Sequence, residues 1–204
     1  MKPFLRYLAL IALTVLISAC ASTVMPASQQ ANDQKMTWTQ RENQTDQVRS
    51  WTISGALAMK APQRGFTANL NWQQHRNIKN YKMSLYGPLG IGAVRITSSP
   101  SQVTLMRGNG ETFKASSAQA LMAKNLGWNI PVNNLYYWVR GLPAPGAASN
   151  KSFDKYHHLT RLQQSGWSIR FLRYTAVGKY DLPNKIIFRN RQLSGTLVIS
   201  GWKI

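Results

Sequence analysis

From Trp51 onward the apolar residues of this chain recur at every second position, and that period decides what the chain can become. Trp51, Ile53, Gly55, Leu57 and Met59 alternate with Thr52, Ser54, Ala56 and Ala58. A strand turns successive side chains to opposite faces, so such a run has one apolar face to bury. Phe66, Ala68, Leu70 and Trp72 repeat the pattern after the turn Ala61-Pro62-Gln63-Arg64-Gly65, and Tyr81, Met83 and Leu85 do so after the polar run His75 to Asn80. Shorter runs follow at Val94 and Ile96, at Val103 and Leu105, and from Glu111 to Lys114. Leu159 to Gln164, a tight turn at Ser165-Gly166, Trp167 to Leu172 and, after Leu182-Pro183, Lys185 to Asn190 and Leu193 to Trp202 complete the series. About ten short strands at this spacing predict a large antiparallel sheet that curls, or a barrel.

Two segments break the period. Ser116 or Ser117 can cap a helix carrying Ala118, Leu121, Met122 and Asn125, with Gly127 placed to end it. Pro131 opens a second, in which Leu135, Trp138, Val139 and Leu142 are helically spaced as far as Gly141. Upstream, Trp38 to Val48 reads as a weakly amphipathic helix lying across something, and Pro143 to Asn150 reads as a surface loop. A fold that is mainly β with short helices follows: a curved sheet with an apolar concave face, over which the two mid-chain helices can close as a lid. The residues expected to line that cavity and its lid are Trp72, Leu85, Ile96, Leu105, Leu121, Leu135, Trp138, Val139 and Phe171. Taken singly, each reads equally well as plain core; only the set suggests a pocket.

The N-terminus carries a different kind of signal. Lys2 and Arg6 flank an apolar run from Leu8 to Ile17, too short to span a bilayer comfortably, which is the build of a secretory signal. Ile17, small Ser18 and Ala19, then Cys20, the only cysteine, resemble the bacterial lipoprotein box. The plainer alternative is a signal peptide with a chance cysteine at its end. The resemblance implies cleavage before Cys20 and a lipidated thiol. Ala21 stands where an aspartate would mark retention in the inner membrane, so the implied address is the periplasmic face of the outer membrane, lipid-anchored. Residues 1–19 are then a signal peptide, residues 20–36 a lipidated flexible tether without apolar period, and residues 37–204 a single domain.

Charge narrows the partners. The chain has 25 Lys and Arg against six Asp and Glu, a formal charge of +19. Such a surface suits nucleic acid or anionic lipid; an exported lipoprotein meets only the second, or an acidic protein, and the charge can equally serve solubility alone. The inventory speaks against an enzyme. Asp33, Glu42, Asp46, Glu111, Asp154 and Asp181 are scattered with no obvious acid/base pair, and the one thiol is taken by lipid. His157 and His158 on a strand would point to opposite faces, and His75 is remote, so all three read as solvated surface histidines rather than metal ligands. Gly108-Asn109-Gly110 is a hairpin turn lacking the residues of a phosphate loop. No metal or cofactor is implied, and a single cysteine leaves no disulfide.

One turn does not suit water. Tyr86-Gly87-Pro88-Leu89-Gly90-Ile91-Gly92 lies between two strands, and its glycines and proline put Leu89 at a tip. A leucine folded back onto the sheet is the plain reading. The functional one is a membrane-insertion loop of Pro88, Leu89, Gly90 and Ile91, in which the leucine dips into lipid. Burying it contributes on the order of 1.5–3 kcal/mol, enough to orient a protein already at a membrane and too little to anchor one.

Taken in order, several motifs now carry a resemblance: Leu70-Asn71-Trp72-Gln73, Gly87-Pro88-Leu89-Gly90, Leu126-Gly127-Trp128 with Ile130-Pro131-Val132, Tyr137-Trp138-Val139-Arg140-Gly141-Leu142-Pro143, Gln164-Ser165-Gly166-Trp167 and Leu182-Pro183. From the lipoprotein box to Trp202 the chain resembles the LolB family of outer-membrane lipoprotein receptors. That resemblance implies an unclosed, strongly curved antiparallel β-barrel with a helical lid over an apolar cavity. It implies acceptance of triacylated lipoproteins from the soluble periplasmic carrier LolA and their insertion into the outer membrane, with the leucine of the protruding loop, here Leu89, serving insertion rather than acceptance. The expected partners are a LolA-type carrier, the acyl chains of client lipoproteins and the outer membrane, with no nucleic acid, and a monomer suffices. A basic rim would speed encounter with an acidic donor. The alternative is a structural or envelope-assembly lipoprotein that binds lipopolysaccharide or anionic lipid, which accounts better for the charge and worse for the Leu89 loop.

Overall fold

The alternating runs form one antiparallel sheet in a computed structural model that describes residues 31–62, 64–90 and 92–204; the side chains of Arg64, Leu89, Leu126 and Ser149 lie outside that description. So do the signal peptide, Cys20 and Ile91. In chain order the elements are α1 (Trp38–Asp46), β1 (Trp51–Ala61), β2 (Arg64–Gln74), β3 (Tyr81–Tyr86), a 3-10 turn (Pro88–Gly90), β4 (Val94–Ser98), β5 (Val103–Arg107) and β6 (Thr112–Ala115). Then come α2 (Ala118–Leu126), α3 (Val132–Trp138), β7 (Ala148–Phe153), β8 (Leu159–Gln164), β9 (Trp167–Val177), β10 (Tyr180–Arg189) and β11 (Ser194–Lys203). The sheet order is β6-β5-β4-β3-β2-β1-β11-β10-β9-β8-β7. The first and last strands are neighbours at the centre, and β6 and β7 end the sheet without pairing with each other, so the sheet curls but does not close.

Two departures from the sequence reading have physical causes. Pro143 to Asn150 is not wholly a loop, because β7 starts at Ala148 and pairs with β8. This edge strand is mostly polar and carries Lys151, a composition that protects an edge from foreign pairing and erases the alternation by which strands are recognised. Leu182-Pro183 does not precede a strand but lies inside β10. Proline has no N–H for the ladder, and the register accordingly shifts between Pro183 and Lys185 opposite β9.

The inward residues make one continuous core. Ile53, Leu57 and Met59 of β1, Leu70 and Trp72 of β2, Leu105 of β5, Ile169 and Phe171 of β9 and Ile186 and Phe188 of β10 are buried together. Leu121 and Met122 of α2 and Val132, Tyr136 and Trp138 of α3 join the same cluster, which places both helices over the concave face. Ser117 caps α2 by accepting the Ala120 N–H at 3.2 Å, and Gly127 ends it at a φ of 73°. Curling demands close backbone approach at the centre. Opposite β11 the register of β1 slips between Ser54 and Gly55, which leaves Ser200 as the extra residue. A Cβ on Gly55 would collide with the Val198 carbonyl oxygen, which is backbone and cannot step aside. Gly55→Ala is therefore expected to destabilise the protein by about 1–3 kcal/mol, the usual cost of overpacking, read as a lower midpoint in urea unfolding.

Candidate functional site

The expected cavity and lid residues do come together, as one packed layer. Trp72, Leu85, Ile96, Leu105, Leu121, Trp138, Val139 and Phe171 are each at most 4% exposed, and Leu135 packs half-buried against them. The indole N–H groups are satisfied inside: Trp72 donates to Gln74 at 3.2 Å and Trp138 to Gln164 at 3.0 Å.

The open volume lies at one end of the curled sheet. A hollow of about 250 Å³ is lined by Met59, Ala61, Gly65, Phe66, Asn125, Trp128 and Leu193, beneath the C-terminal end of α2. It meets, at Met59, Ala61, Gly65 and Phe66, a groove of about 790 Å³ that continues past Ala58, Thr67 and Thr196 on the outer side. Phe66 and Trp128 stack across this mouth, ring centroids 4.1 Å apart and 12° from parallel. None of the expected cavity residues lines either hollow. Sequence reasoning passed over Phe66 as one more alternating residue and Trp128 as part of a motif, since nothing in a linear sequence pairs them. Tyr86 pairs with Asn69, so the turn holding Leu89 emerges at this same end, near the β1–β2 hairpin. Pro88 and Gly90 are exposed there, and a Cβ on Gly90 or Gly92 would meet nothing within 4 Å.

The two lid helices are held unequally. α3 is bolted down. Gln164 accepts from the Trp138 indole and the Ala144 N–H and donates to the Ala144 carbonyl at 2.7 Å. Arg140, just past α3 and 1% exposed, donates to the Tyr136 and Val48 carbonyls, lies 3.6 Å from the Asp46 carboxylate and stacks its guanidinium 4.1 Å above the Tyr136 ring. Burial lowers its pKa and these neighbours oppose that shift. By contrast α2 rests on apolar contacts, the Phe66–Trp128 stack and, among the described residues, one side-chain bond to the sheet, from Arg107 to the Asn125 carbonyl at 3.2 Å.

The opposite end is polar and locked, and here His158 differs from its expected place on a solvated surface. It is 2% exposed, with Nδ1 2.8 Å from Asp154 and Nε2 3.1 Å from Asp181. Asp181 also accepts from Arg41 of α1 at 3.0 Å and from the Asn32 N–H at 2.6 Å. Arg41 donates onward to the Tyr156 and Gln34 carbonyls. Two of the carboxylates that look scattered in sequence, Asp154 and Asp181, thus converge, because the β7–β8 and β9–β10 turns and α1 share one end of the sheet. The Tyr174 hydroxyl beside them donates to the Leu159 carbonyl, and none of the hollows at the mouth reaches the cluster. Its work is to fix α1 and the last residues before it.

The sheet and helices thus make a half-open barrel with an apolar interior, a roof of two helices and a mouth at one end. Two solved structures share it at 11% identity: a putative outer membrane lipoprotein-sorting protein domain from Vibrio parahaemolyticus, TM-score 0.53 over 81% of this chain and 90% of that one, and a LolA superfamily protein from Nitrosomonas europaea, TM-score 0.51 over 83% and 94%. Residues 49–202 match the family model described as outer membrane lipoprotein LolB. Outer-membrane lipoprotein LolB of Coxiella burnetii (strain RSA 493 / Nine Mile phase I) is 40% identical over 97% of this chain and 93% of its own length, and that of Ectopseudomonas mendocina (strain ymp) is 36% identical over 98% and 97%. The chain belongs to the LolB family. It is an outer-membrane lipoprotein with a receptor's role in the Lol trafficking system, and it is not an enzyme.

The polar lock has a measurable signature. Burial pushes the Asp181 and Asp154 carboxyls up, but hydrogen bonds from His158, with Arg41 and Asn32 at Asp181 and the Tyr156 N–H at Asp154, outweigh it and leave both below the usual value of 3.8. Groups lowered on folding contribute stability above their unfolded pKa and lose it as the pH falls through the folded one. Unfolding free energy should therefore fall as the pH drops below about 4. Asp181→Asn leaves Arg41 buried without its counter-charge and should cost about 3–5 kcal/mol at pH 7, while flattening that acid limb; denaturant titrations at pH 7 and pH 3 measure both.

Proposed function

We propose that this chain accepts triacylated lipoproteins from a LolA-type periplasmic carrier and inserts them into the outer membrane, working as a monomer held to the periplasmic face by lipid on Cys20. The observation that carries the reading is the unequal lid over an apolar interior, beside a mouth. Acyl chains cross water only under cover, so transfer needs two apolar interiors brought mouth to mouth, with the receiver binding the more tightly; a downhill step of this kind uses no ATP. The core is closely packed, so a guest must displace something. α2 with Trp128 is the piece held by the fewest polar bonds, and its outward shift would open the Met59–Leu193 hollow toward Trp72, Leu85, Ile96, Leu105 and Phe171 while Gln164 and Arg140 keep α3 in place.

The Pro88–Ile91 turn completes the scheme. It stands at the same end as the mouth, so chains leaving the interior would meet the lipid that Leu89 enters. Its apolar tip serves delivery, and the interior serves acceptance.

The test uses the full chain with Cys20→Ala, mixed with a LolA-type carrier loaded with a labelled triacylated lipoprotein and separated by gel filtration. The label should move to this chain. Its staying on a carrier proven competent with another receptor would sink the reading. In the acylated protein, Leu89→Asp should leave acceptance unchanged and reduce insertion into lipid vesicles by about tenfold or more, the equivalent of one lost buried leucine; equal loss of both steps would deny the turn a separate role.

A further inference from the structure

We infer that the outer face of β7–β10 is a docking surface for the phosphate head groups of an anionic membrane. Arg161 of β8 stands directly opposite Arg170 of β9, and Arg189 of β10 opposes Ser168, which sets it diagonally from Arg170. Side chains so placed are about 4.5–5.5 Å apart at Cβ across the pair and about 7–8 Å on the diagonal. With Lys151 and Ser152 of β7 they line a polar hollow of about 490 Å³. The three arginines are exposed.

The placement costs the fold something, since like charges directly opposite each other in a sheet are destabilising. The other basic pair set directly opposite, Arg173 and Lys185, lies on two of the same strands, β9 and β10. Arg41, Arg49, Arg107 and Arg140 each have a carboxylate within 4 Å. Among the described residues Arg161, Arg170 and Arg189 have none, and no carboxylate lines the hollow. A cluster rich in cationic donors, with three guanidinium forks, a lysine and flanking serine hydroxyls, matches the tetrahedral oxygens of a phosphate. Leu172, two residues beyond Arg170 and 38% exposed, gives the face an apolar edge.

Membrane phosphates suit the site better than an acidic protein does, because this is an outer-membrane lipoprotein and its anchor keeps it beside them. Asn32 is tied to Gly178 and Asp181 at the start of β10, while Arg189 lies at the far end of that strand, about 30 Å away by strand rise. With the anchor on Cys20, as proposed above, the chain from Cys20 to Asn32 can span at most about 40 Å. The patch can therefore lie on the surface in which the anchor is embedded.

The test needs no client lipoprotein or carrier, so its result is independent of the receptor reading. The full chain with Cys20→Ala is sedimented with vesicles of phosphatidylcholine containing 30% phosphatidylglycerol (roughly the anionic share needed for a strong surface potential), and with pure phosphatidylcholine. Arg161→Gln/Arg170→Gln/Arg189→Gln is compared with Lys60→Gln/Lys82→Gln/Lys114→Gln, which removes equal charge from the other half of the sheet. The first triple should weaken partition onto the anionic vesicles by about a hundredfold, as basic side chains at such a surface contribute about fivefold each, and the second by no more than about threefold. Equal losses would show diffuse net charge and overturn the site, as would unchanged binding.

Discussion

An eleven-stranded sheet whose edges do not meet imposes the condition that everything else satisfies. Curling gives it a concave apolar face, and without closure that face must be covered by something other than strands. The chain supplies cover in the middle of the sequence, where α2 and α3 join edge strand β6 to edge strand β7 across the opening. The gap between the edges is thus the seat of the lid. Closure by strands would have sealed the interior permanently, whereas a helical roof resting on side chains can be lifted without breaking a ladder.

The two ends of the sheet divide the labour. At one, buried Arg41, Asp181 and His158 and half-buried Asp154 form a polar chain that ties α1, the β7–β8 turn and β10 into one unit. Buried ion pairs are a weak route to stability but a strong one to fixed geometry when every member is bonded. At the other, apart from the bond from Arg107 to the Asn125 carbonyl, the contacts between lid and sheet are aromatic stacking and apolar packing around Phe66, Trp128, Met59 and Leu193. Such contacts can be exchanged for those of an acyl chain with little penalty, because the new partner is chemically alike. Stiffness at one end lets the other open without loss of the fold.

Much of this was legible in the sequence. Period-two alternation located ten strands, Ser117 and Gly127 bracketed α2, and the inward set from Trp72 to Phe171 is the buried layer. What escaped depended on distance in the chain. β7 carries its polar residues because it is an edge, and an edge is defined by what fails to pair with it. Pro183 looked like a boundary because the bulge that tolerates it is made jointly with β9. Arg41 sits in a helix with almost no apolar stripe, so the helix read as loosely laid. In fact it is fixed by Asp181, 140 residues away. His158 read as solvated for the same reason, since both its carboxylate partners are brought to it by turns. The Phe66–Trp128 mouth was invisible because stacking between a strand and the residue after a helix leaves no spacing to find.

The distribution of charge follows from the same architecture. A sheet whose inner face is mostly apolar offers chiefly its outer face for ionic groups, and with six carboxylates in the chain, at least four drawn into ion pairs at turns and α1, the outer strands carry their arginines and lysines largely unopposed. Core packing sets no demand for that sign, since serine or threonine would serve the outward positions of β8 and β9 equally well. The sign is therefore free to follow the surroundings. For a protein held within a few nanometres of a bilayer, a positive outer face lowers the energy of lying against head groups, and an apolar mouth at the sheet's end keeps the exchange of acyl chains at the edge of that contact rather than beneath it.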